Sequence, residues 1–349
     1  MTRIGIVGTG NIVGIAHYHA AGLLNDGRCE IAAVYDTRLS GAEEWVREHS
    51  LSSRVCRSYE ELLDSVDAVN ICVPNRFHFG YAEKALKADK HFFVEKPMAL
   101  TLEESAALND LASEYGKVDM VGFVYRFSSA VQKAREIVRN DIGKVYTLSA
   151  WFGGKRIADP AVPKEWRMTR SLSGSGALGD FGSHIIDLAD FIAGQRVTEV
   201  QCLSDTFIKM RTGRDGRMEE VENDDASVLS CRTTDGLSSF TFSRTGMDDI
   251  MMMITGEGGM LQLSLRGNGS ITYWEKKRSG GYTGKVSEIP FDGQKPFDGW
   301  FDGEMSAYLD WIEGDKGLCG GVDQGFYVEK VLHEAEAAAA DGKVREIRI

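Results

Sequence analysis

The sequence predicts an α/β protein of two domains, in which a doubly wound parallel sheet is followed by a second α/β domain rich in antiparallel strands. The chain has 349 residues, whereas a single hydrophobic core stops growing at about 250–300 residues. Strand-like and helical stretches alternate up to residue 123, and long strand-like stretches separated by turns dominate from residue 143. We therefore predict domains at residues 1–123 and 124–349.

The composition is that of a globular protein whose partner is a small molecule. Hydrophobic residues make up 43% of the chain and charged residues 26%, and no apolar run approaches the ~20 residues of a membrane span. The net charge of -12 disfavours nucleic acid, because phosphate binding requires a basic surface. These observations exclude membrane insertion and favour a small-molecule partner.

The cysteines and histidines do not follow a disulfide or metal-binding pattern. The six cysteines are scattered and include no Cys-x-x-Cys, and the seven histidines include no His-x-x-x-His. We therefore predict no metal site and interpret the cysteines as small buried hydrophobic residues. No charged segment with a long apolar run precedes the first strand, which indicates a cytoplasmic protein without a secretory signal.

The first strand, at residues 4–7, runs into a glycine-rich turn and then a helical stretch. The turn reads Gly8-Thr9-Gly10-Asn11-Ile12-Val13-Gly14. Strand, glycine turn and helix in this order present backbone N–H groups and a helix N-terminus to the pyrophosphate of a dinucleotide. Val13 occupies the third glycine position and Gly14 follows one place later, so an ordinary tight turn is the alternative interpretation. The predicted cofactor contacts here are Gly8, Gly10, Asn11 and Ile12.

The second strand, at residues 30–35, ends in an acid, Asp36. This is about the spacing at which a carboxylate accepts hydrogen bonds from the ribose hydroxyls of NAD. A negative charge there repels the additional phosphate of NADP, although Arg38 two places later softens that preference. The pattern therefore favours NAD over NADP.

Two later strand ends carry polar residues where parallel sheets bind ligands, beyond their carboxyl ends. The alternation continues with strands at 68–73, 91–94 and 118–123 and helices at 77–86 and 102–115. The two polar segments are Pro74-Asn75-Arg76-Phe77-His78 and Glu95-Lys96-Pro97. Lys96 follows the apolar strand at 91–94 almost directly, so we expect it at the crevice, where a fixed cation stabilises an alkoxide. The alternative is an ordinary loop lysine.

The most informative stretch of the chain lies at residues 174–194. Its apolar residues recur at steps of three and four, which predicts an amphipathic helix that begins after Gly176 and is capped by Gly194. Asp180 and His184 then project from one face, as a proton-transfer site requires. A surface pair is the alternative. Glycines at the helix entrance disfavour it, because they weaken the helix and allow a ligand or backbone to approach closely.

The second half shows the alternation of antiparallel strands. Strand-like stretches occur at 144–152, 197–209, 226–233, 238–244 and 251–255. Turns such as Asp235-Gly236 separate several of them, which indicates hairpins. We interpret 211–225 and 279–284 as loops, and we predict closing helices at 304–312 and 327–340.

A cationic segment precedes the predicted catalytic helix. In an acidic protein, residues 151–170 carry five cations and only two acids, together with two tryptophans. Aromatic faces suit a sugar ring, and cations reach hydroxyl or anionic groups. We therefore predict that the loop around Lys155, Arg156 and Arg167 contacts substrate, with sugar phosphates and sugar acids as candidates alongside neutral polyols. A solvated loop is an equal alternative for Lys155 and Lys164.

Taken together, these motifs resemble the Gfo/Idh/MocA family of NAD(P)-dependent sugar and polyol oxidoreductases. The resemblance spans nearly the whole chain and rests on the order and spacing of its pieces. The matching pieces are Gly8-Thr9-Gly10-Asn11-Ile12, Asp36, Val73-Pro74-Asn75 with His78, Glu95-Lys96-Pro97, Gly122-Phe123 with Arg126-Phe127, Trp166-Arg167, and 174–187.

The resemblance implies a Rossmann domain followed by an α/β domain on a large, mostly antiparallel sheet, assembled as homodimers or homotetramers through that sheet. It implies catalytic roles for Lys96, Asp180 and His184, and a cis bond between Lys96 and Pro97. A histidine titrates near ~6.5 and a lysine near ~10.4, so we assign His184 as the base. The remaining predicted cofactor contacts are Arg38, Pro74, Asn75, His78, Glu95, Lys96 and Pro97. The predicted substrate contacts are Lys96, Tyr125, Arg126, Arg156, Trp166, Arg167, Asp180 and His184.

Three functional hypotheses follow. The first is a dehydrogenase that oxidises a ring hydroxyl of a sugar, glycoside or cyclic polyol such as inositol. The second is an enzyme that retains NAD and uses transient oxidation for glycoside cleavage or elimination. The third is a sugar sensor that binds NAD without turnover, which the retention of Lys96, Asp180 and His184 disfavours because a sensor has no need of a proton relay.

Overall fold

The structure is a computed structural model of the chain. It describes residues 1–10, 14–265, 270–277, 279–282, 287–288 and 297–348, with side chains omitted at 287–288 and 297–298. The predicted cofactor contacts Asn11 and Ile12, and the end of the predicted loop at 279–284, therefore lie outside the described residues.

The chain divides into two compact units. They are Met1–Phe127 with Lys295–Phe326, and Ser128–Gln294 with Tyr327–Ile349. The sequence predicted one division, between residues 123 and 124. The difference arises because a late helix returns to the first unit, where Met305, Tyr308 and Leu309 join Ile4 in its hydrophobic core.

Most elements of the first 127 residues match the alternation predicted from sequence. The structure adds a helix, a short strand and a second helix between residues 39 and 63, which no sequence pattern predicted. In chain order the elements are β1 (Thr2–Val7), α1 (Ile15–Asp26), β2 (Cys29–Tyr35), α2 (Leu39–Glu48), β3 (Arg54–Val55), α3 (Tyr59–Leu63), β4 (Ala68–Ile71), α4 (His78–Lys87), β5 (His91–Val94), α5 (Leu102–Tyr115) and β6 (Asp119–Val121).

The first sheet is parallel and doubly wound. Within the described residues its strand order is β3-β2-β1-β4-β5-β6, and each neighbouring pair is parallel. This is the strand order of a dinucleotide-binding sheet, so the fold predicted for the first domain is confirmed. The carboxyl ends of β1, β2, β4 and β5 lie at one edge, which brings the segments that follow these strands to the same side of the sheet.

The remainder of the chain alternates helices with antiparallel strands. In chain order its elements are α6 (Ser129–Ile137), β7 (Val145–Gly153), α7 (Arg170–Ser173), α8 (Ala177–Ala193), β8 (Val197–Asp205), β9 (Met210–Thr212), β10 (Met218–Glu220), β11 (Ala226–Thr233), β12 (Leu237–Ser243), β13 (Asp249–Gly256), β14 (Gly259–Ser264), β15 (Ser270–Glu275), β16 (Ser287–Glu288), α9 (Phe297–Ile312), α10 (Val322–Asp341) and β17 (Arg345–Glu346).

The predicted loop at 211–225 contains a small hairpin, which corrects that interpretation. Strands β9 and β10 pair antiparallel, with Met218 opposite Thr212. The pairing involves only three residues a side, too few for an alternating pattern to be recognised among the surrounding charges. Gly216 has a positive φ of 82° and supplies the turn.

The second sheet is large and mostly antiparallel. In the part of the chain that the structure describes, its order is β16-β15-β14-β13-β7-β12-β11-β8-β17, and only β7 and β12 pair in parallel. Helix α8 covers one face, where Phe181 stacks on Phe152 with ring centroids 4.2 Å apart. A Cβ on Gly182 would lie 3.1 Å from the Phe242 ring, so glycine lets the helix approach the sheet. The predicted fold class is confirmed for the second domain as well.

The described residues contain neither a membrane-spanning helix nor a cluster of metal ligands. No helix among them is long and apolar enough to cross a membrane. No group of three or more histidine, cysteine, aspartate or glutamate side chains is placed to hold a metal ion.

Candidate active site

The two described glycines of the turn after β1 differ in their surroundings. Gly8 has a φ of +88°, and a Cβ on it would lie 2.8 Å from the Cys72 carbonyl oxygen, so only glycine fits there. A Cβ on Gly10 would meet no described atom within 4 Å. Contact of Gly8 and Gly10 with a cofactor stays a prediction.

Asp36 is held at the ends of β1 and β2. The Thr9 backbone N–H donates to Asp36 Oδ2 at 2.8 Å, and the Arg38 backbone N–H donates to Asp36 Oδ1 at 2.9 Å. The carboxylate is therefore fixed beside the glycine turn, where it was predicted to bind ribose. The Arg38 guanidinium folds back over α2, because a Cβ on Gly41 would lie 2.6 Å from its Nε.

The two polar segments after β4 and β5 are joined by His78. Its ring is buried, with Nδ1 2.8 Å from the Pro97 carbonyl oxygen and Nε2 2.7 Å from the Val73 carbonyl oxygen. Burial lowers the pKa of His78, while the hydrogen bonds to the two carbonyl oxygens act in the opposite direction. His78 therefore fixes the segment that carries Lys96, and cofactor contact by the same side chain stays a prediction.

The other predicted residues of these segments are buried or half-buried. Pro74 precedes a short 3₁₀ turn that includes the buried Asn75. Lys96 is half-buried. The bond between Lys96 and Pro97 is cis, which confirms that prediction.

Sequence reasoning missed a buried polar network behind Lys96. Glu95 Oε1 lies 3.0 Å from Nε2 of the fully buried His19. The Asn70 amide nitrogen lies 3.3 Å from His19 Nδ1 and can only donate, so Nδ1 accepts and the ring proton is on Nε2, which donates to Glu95. Glu304 of α9 is fully buried, and neither of its oxygens has a hydrogen-bond partner among the described residues. Burial, followed by the charge of Glu95, raises the pKa of Glu304 well above its ordinary value, which favours the neutral carboxyl.

Helix α8 begins and ends where the sequence predicted. Gly176 precedes it, and Gly194 closes it with a φ of 64°. The backbone N–H groups of Gly176 and Leu178 donate to the Asp224 carboxylate at 2.6 and 2.8 Å. A Cβ on Gly176 would lie 1.9 Å from the Asp224 carbonyl oxygen, so the glycine admits a neighbouring backbone segment.

Asp180 and His184 stand one turn apart on α8, as predicted. Asp180 Oδ2 accepts from Nη2 of the buried Arg244 at 3.2 Å. His184 is buried, and its ring centroid lies 6.1 Å from that of Phe152. An acid held by a guanidinium group and a buried imidazole on the same helix face are suited to proton transfer.

The cationic segment divides into paired and unpaired side chains. Arg156 forms a two-bond pair with Glu165, and the Arg167 guanidinium stacks on Trp166 with its carbon 4.3 Å from the ring centroid. Arg167 Nη1 is buried without a hydrogen-bond partner in the described part of the chain. The other three cations form ion pairs: Lys155 with Asp248, Lys164 with Glu219 and Glu222, and Arg170 with Glu336.

Residues that sequence reasoning did not select hold this segment in place. Arg244 Nη1 and the Asn223 side chain both donate to the Arg167 carbonyl, at 3.2 and 2.9 Å. The fully buried Arg211 donates to main-chain carbonyls of Asp159 and Val162. The signal in the sequence was a run of Asn and Asp just before the strand at 226–233, but no spacing rule links it to residues fifty positions away.

Tyr125 and Arg126 lie inside the first unit. The Tyr125 ring packs edge-on against Trp300, with centroids 5.5 Å apart. The Arg126 guanidinium donates to the Leu318 carbonyl oxygen at 3.0 Å. Both residues are buried, and their contact with substrate stays a prediction.

A doubly wound sheet with a glycine turn and a fixed acid after β2 defines a dinucleotide-binding protein, here with a second domain that carries an acid and a histidine on one helix. The chain belongs to the Gfo/Idh/MocA oxidoreductase family. Residues 2–123 match the family model described as "Oxidoreductase family, NAD-binding Rossmann fold". Residues 131–262 match the model of the family's C-terminal domain. The first domain is therefore an NAD-binding domain.

Known proteins agree with this assignment. The chain is 33% identical over 194 residues to glucose-6-phosphate 3-dehydrogenase of Bacillus subtilis (strain 168), covering 55% of this chain and 54% of the relative. It is 34% identical over 196 residues to D-glucoside 3-dehydrogenase of Escherichia coli (strain K12), with the same coverage of 55% and 54%. The chain thus spans about half the length of these curated relatives. A crystal structure of an oxidoreductase domain protein from Kribbella flavida superposes with a TM-score of 0.89 at 26% identity, covering 100% of both chains.

Proposed function

We propose that this protein is an NAD-dependent dehydrogenase that transfers a hydride between nicotinamide and a ring hydroxyl of a sugar, glycoside or cyclic polyol. The observation that carries the proposal is the pair Asp180 and His184 on α8, with Asp180 bonded to the buried Arg244. The pair occurs in a chain whose first domain has the NAD-binding fold. The curated relatives are named as 3-dehydrogenases of glucose 6-phosphate and of D-glucosides, which supports a sugar hydroxyl as the group oxidised.

The residues of the second unit serve proton transfer. NAD, when bound, accepts the hydride. His184 takes the hydroxyl proton, because an alcohol does not release hydride readily while its oxygen keeps that proton. Asp180, one helical turn away, favours the imidazolium and so stabilises the product of the transfer. The third proposed catalytic residue, Lys96, belongs to the first unit and supplies a fixed positive charge.

The residues of the first unit hold NAD. Gly8 and Gly10 leave room for the pyrophosphate at the end of β1, and the Asp36 carboxylate accepts from the ribose hydroxyls. We assign further cofactor contacts, as predicted from sequence, to Asn11, Ile12, Arg38, Pro74, Asn75, His78, Glu95, Lys96 and Pro97.

The test is to incubate the purified protein with NAD and a panel of sugars, glycosides and inositols while the absorbance of free NADH is followed. Accumulation of NADH with one substrate class supports the proposal. Loss of the substrate without accumulation of NADH indicates retained cofactor and transient oxidation. If no member of the panel changes although NAD binds, the protein is a sensor and the proposal fails.

We also propose a homodimer or homotetramer assembled through the second sheet, in the cytoplasm. Exposed apolar residues on the face opposite α8 support this assembly, since they alternate along their strands with buried residues. These residues are Leu203, Val228, Leu237 and Met253. Light scattering after gel filtration tests it, and a monomer at micromolar concentration would contradict it.

A further inference from the structure

Charged side chains surround Arg167 in the second unit. Asp180 and Glu165 attract its guanidinium group, and Arg156 and Arg244 repel it. An arginine keeps its charge at any ordinary pH, so this guanidinium group is permanently positive.

Contacts distinguish Arg167 from the other two guanidinium groups, those of Arg156 and Arg244. The Arg156 guanidinium donates hydrogen bonds to both carboxylate oxygens of Glu165. Arg244 is engaged by Asp180 and by the Arg167 carbonyl. Arg167 has no carboxylate bonded to it, and its buried Nη1 has no partner among the described residues. A buried, charged N–H donor without an acceptor is unfavourable, and such a donor binds an acceptor strongly when one is supplied.

The Arg167 side chain is also held in place before any ligand arrives. Arg244 and Asn223 fix its main-chain carbonyl, and the Trp166 ring lies against its guanidinium plane. A fixed guanidinium loses little conformational freedom on binding, which strengthens its interaction with a planar or tetrahedral anion. The arrangement is therefore that of a preformed anion receptor.

We propose that Arg167 binds an anionic substituent of the substrate, so that the enzyme acts on acidic sugars, either sugar phosphates or sugar carboxylates. This inference rests on the proposed dehydrogenase function and deepens it. A neutral sugar supplies a hydroxyl oxygen to the same N–H group but does not compensate its charge. Phosphate and carboxylate both do so, and both match the guanidinium donors in geometry.

The first experiment compares kcat/KM of the wild-type enzyme for glucose 6-phosphate, glucuronate and methyl glucoside. We expect at least one of the two acidic sugars to exceed the neutral glycoside by roughly tenfold or more, the gain of one charge-assisted hydrogen bond. The stronger of the two acidic sugars identifies the substituent as phosphate or carboxylate. Equal or higher efficiency with the neutral glycoside would overturn the inference.

The second experiment uses Arg167→Gln, which removes the charge and keeps a donor. KM for the preferred acidic sugar should rise roughly tenfold to a hundredfold, while KM for the neutral glycoside changes little. The matched control is Arg217→Gln, since Arg217 is exposed and the substitution removes the same charge from the same unit. An equal rise in KM for both sugars would assign Arg167 to folding or general packing and contradict the proposal.

A third measurement separates this inference from the proposed activity. Calorimetric binding of inorganic phosphate and of glucuronate is measured on wild type and on Arg167→Gln without turnover. Binding of either anion that is lost in the variant supports the anion receptor even if no sugar is oxidised. Turnover of neutral sugars without binding of either anion would be consistent with the dehydrogenase function but would contradict anion binding by Arg167.

Discussion

At the scale of single residues, we propose that the Asp36 carboxylate makes the protein prefer NAD to NADP. The structure fixes it through the Thr9 and Arg38 backbone N–H groups. We expect kcat/KM to favour NAD over NADP by at least about tenfold in wild type, because the carboxylate repels a ribose phosphate. Asp36→Asn should reduce this preference while keeping an acceptor for Thr9. Steady-state kinetics with both cofactors is the measurement, and a wild type that prefers NADP would refute the assignment.

Glu304 links stability to pH. Burial and the charge of Glu95 raise the pKa of its carboxyl in the folded state. Below about pH 4.3, the ordinary pKa of a glutamate, Glu304 is protonated in both the folded and the unfolded state. Its titration then does not change the free energy of unfolding. Above this pH the unfolded chain releases the proton, whereas the folded protein keeps it. The free energy of unfolding therefore falls by up to about 1.4 kcal/mol per pH unit until the pH passes the raised pKa of the folded state.

Glu304→Gln removes this loss because glutamine has the same shape and no titration. We expect the unfolding free energy of the variant to exceed that of wild type by an amount that grows as the pH rises above about 4.3, as measured by urea denaturation. Glu114→Gln, on the exposed surface of α5, is the control and should show little change with pH. A difference between Glu304→Gln and wild type that is independent of pH would mean that Glu304 is ionised in the folded protein.

Single residues also show which features of the site could be predicted from the sequence and which could not. The spacing of Asp180 and His184 on one helix follows from a local period, and sequence predicted it. The contact of Arg244 with Asp180 joins residues 64 positions apart, and that of Asp224 with Leu178 joins residues 46 apart. No local pattern encodes such pairs, because they depend on how strands and loops pack in three dimensions.

At the scale of elements, the glycines of α8 show what the sequence implied. The glycine-rich entrance predicted close approach of a ligand or a backbone segment. For Gly176 the approaching group is the backbone of Asp224, and for Gly182 it is the Phe242 ring. The helix therefore sits tightly between a capping loop and the sheet, which positions its acid and histidine.

Two glycine substitutions test this account of the helix. Gly176→Ala should destabilise the protein by several kcal/mol or prevent folding, since its Cβ would lie 1.9 Å from the Asp224 carbonyl oxygen. A Cβ on Gly80 in α4 would meet no described atom within 4 Å. Gly80→Ala should therefore stabilise the folded protein by about 0.5–1 kcal/mol, because alanine has the higher helix propensity. Urea denaturation measures both. Equal effects of the two substitutions would contradict the close approach at Gly176.

At the scale of the whole molecule, the sequence predicted the fold class and the order of the two sheets but not the path of the chain. Alternation of apolar and polar residues is a local signal, and it identified most strands of both sheets. The return of Lys295–Phe326 to the first unit is set by burial of Met305, Tyr308 and Leu309 in a distant core. A helix with an apolar face does not specify which core it joins.

The central claim for the whole molecule is that His184 is the base of a dehydrogenase. The pH profile of kcat in His184→Ala tests it most directly, with the exposed His333→Ala as control. The account predicts a fall in kcat of roughly 10²–10⁴-fold, nearly unchanged affinity for NAD, and loss of the acidic limb, because a base must be unprotonated to act. Survival of that limb in His184→Ala, with its disappearance in Lys96→Met, would contradict the account and make the lysine the base.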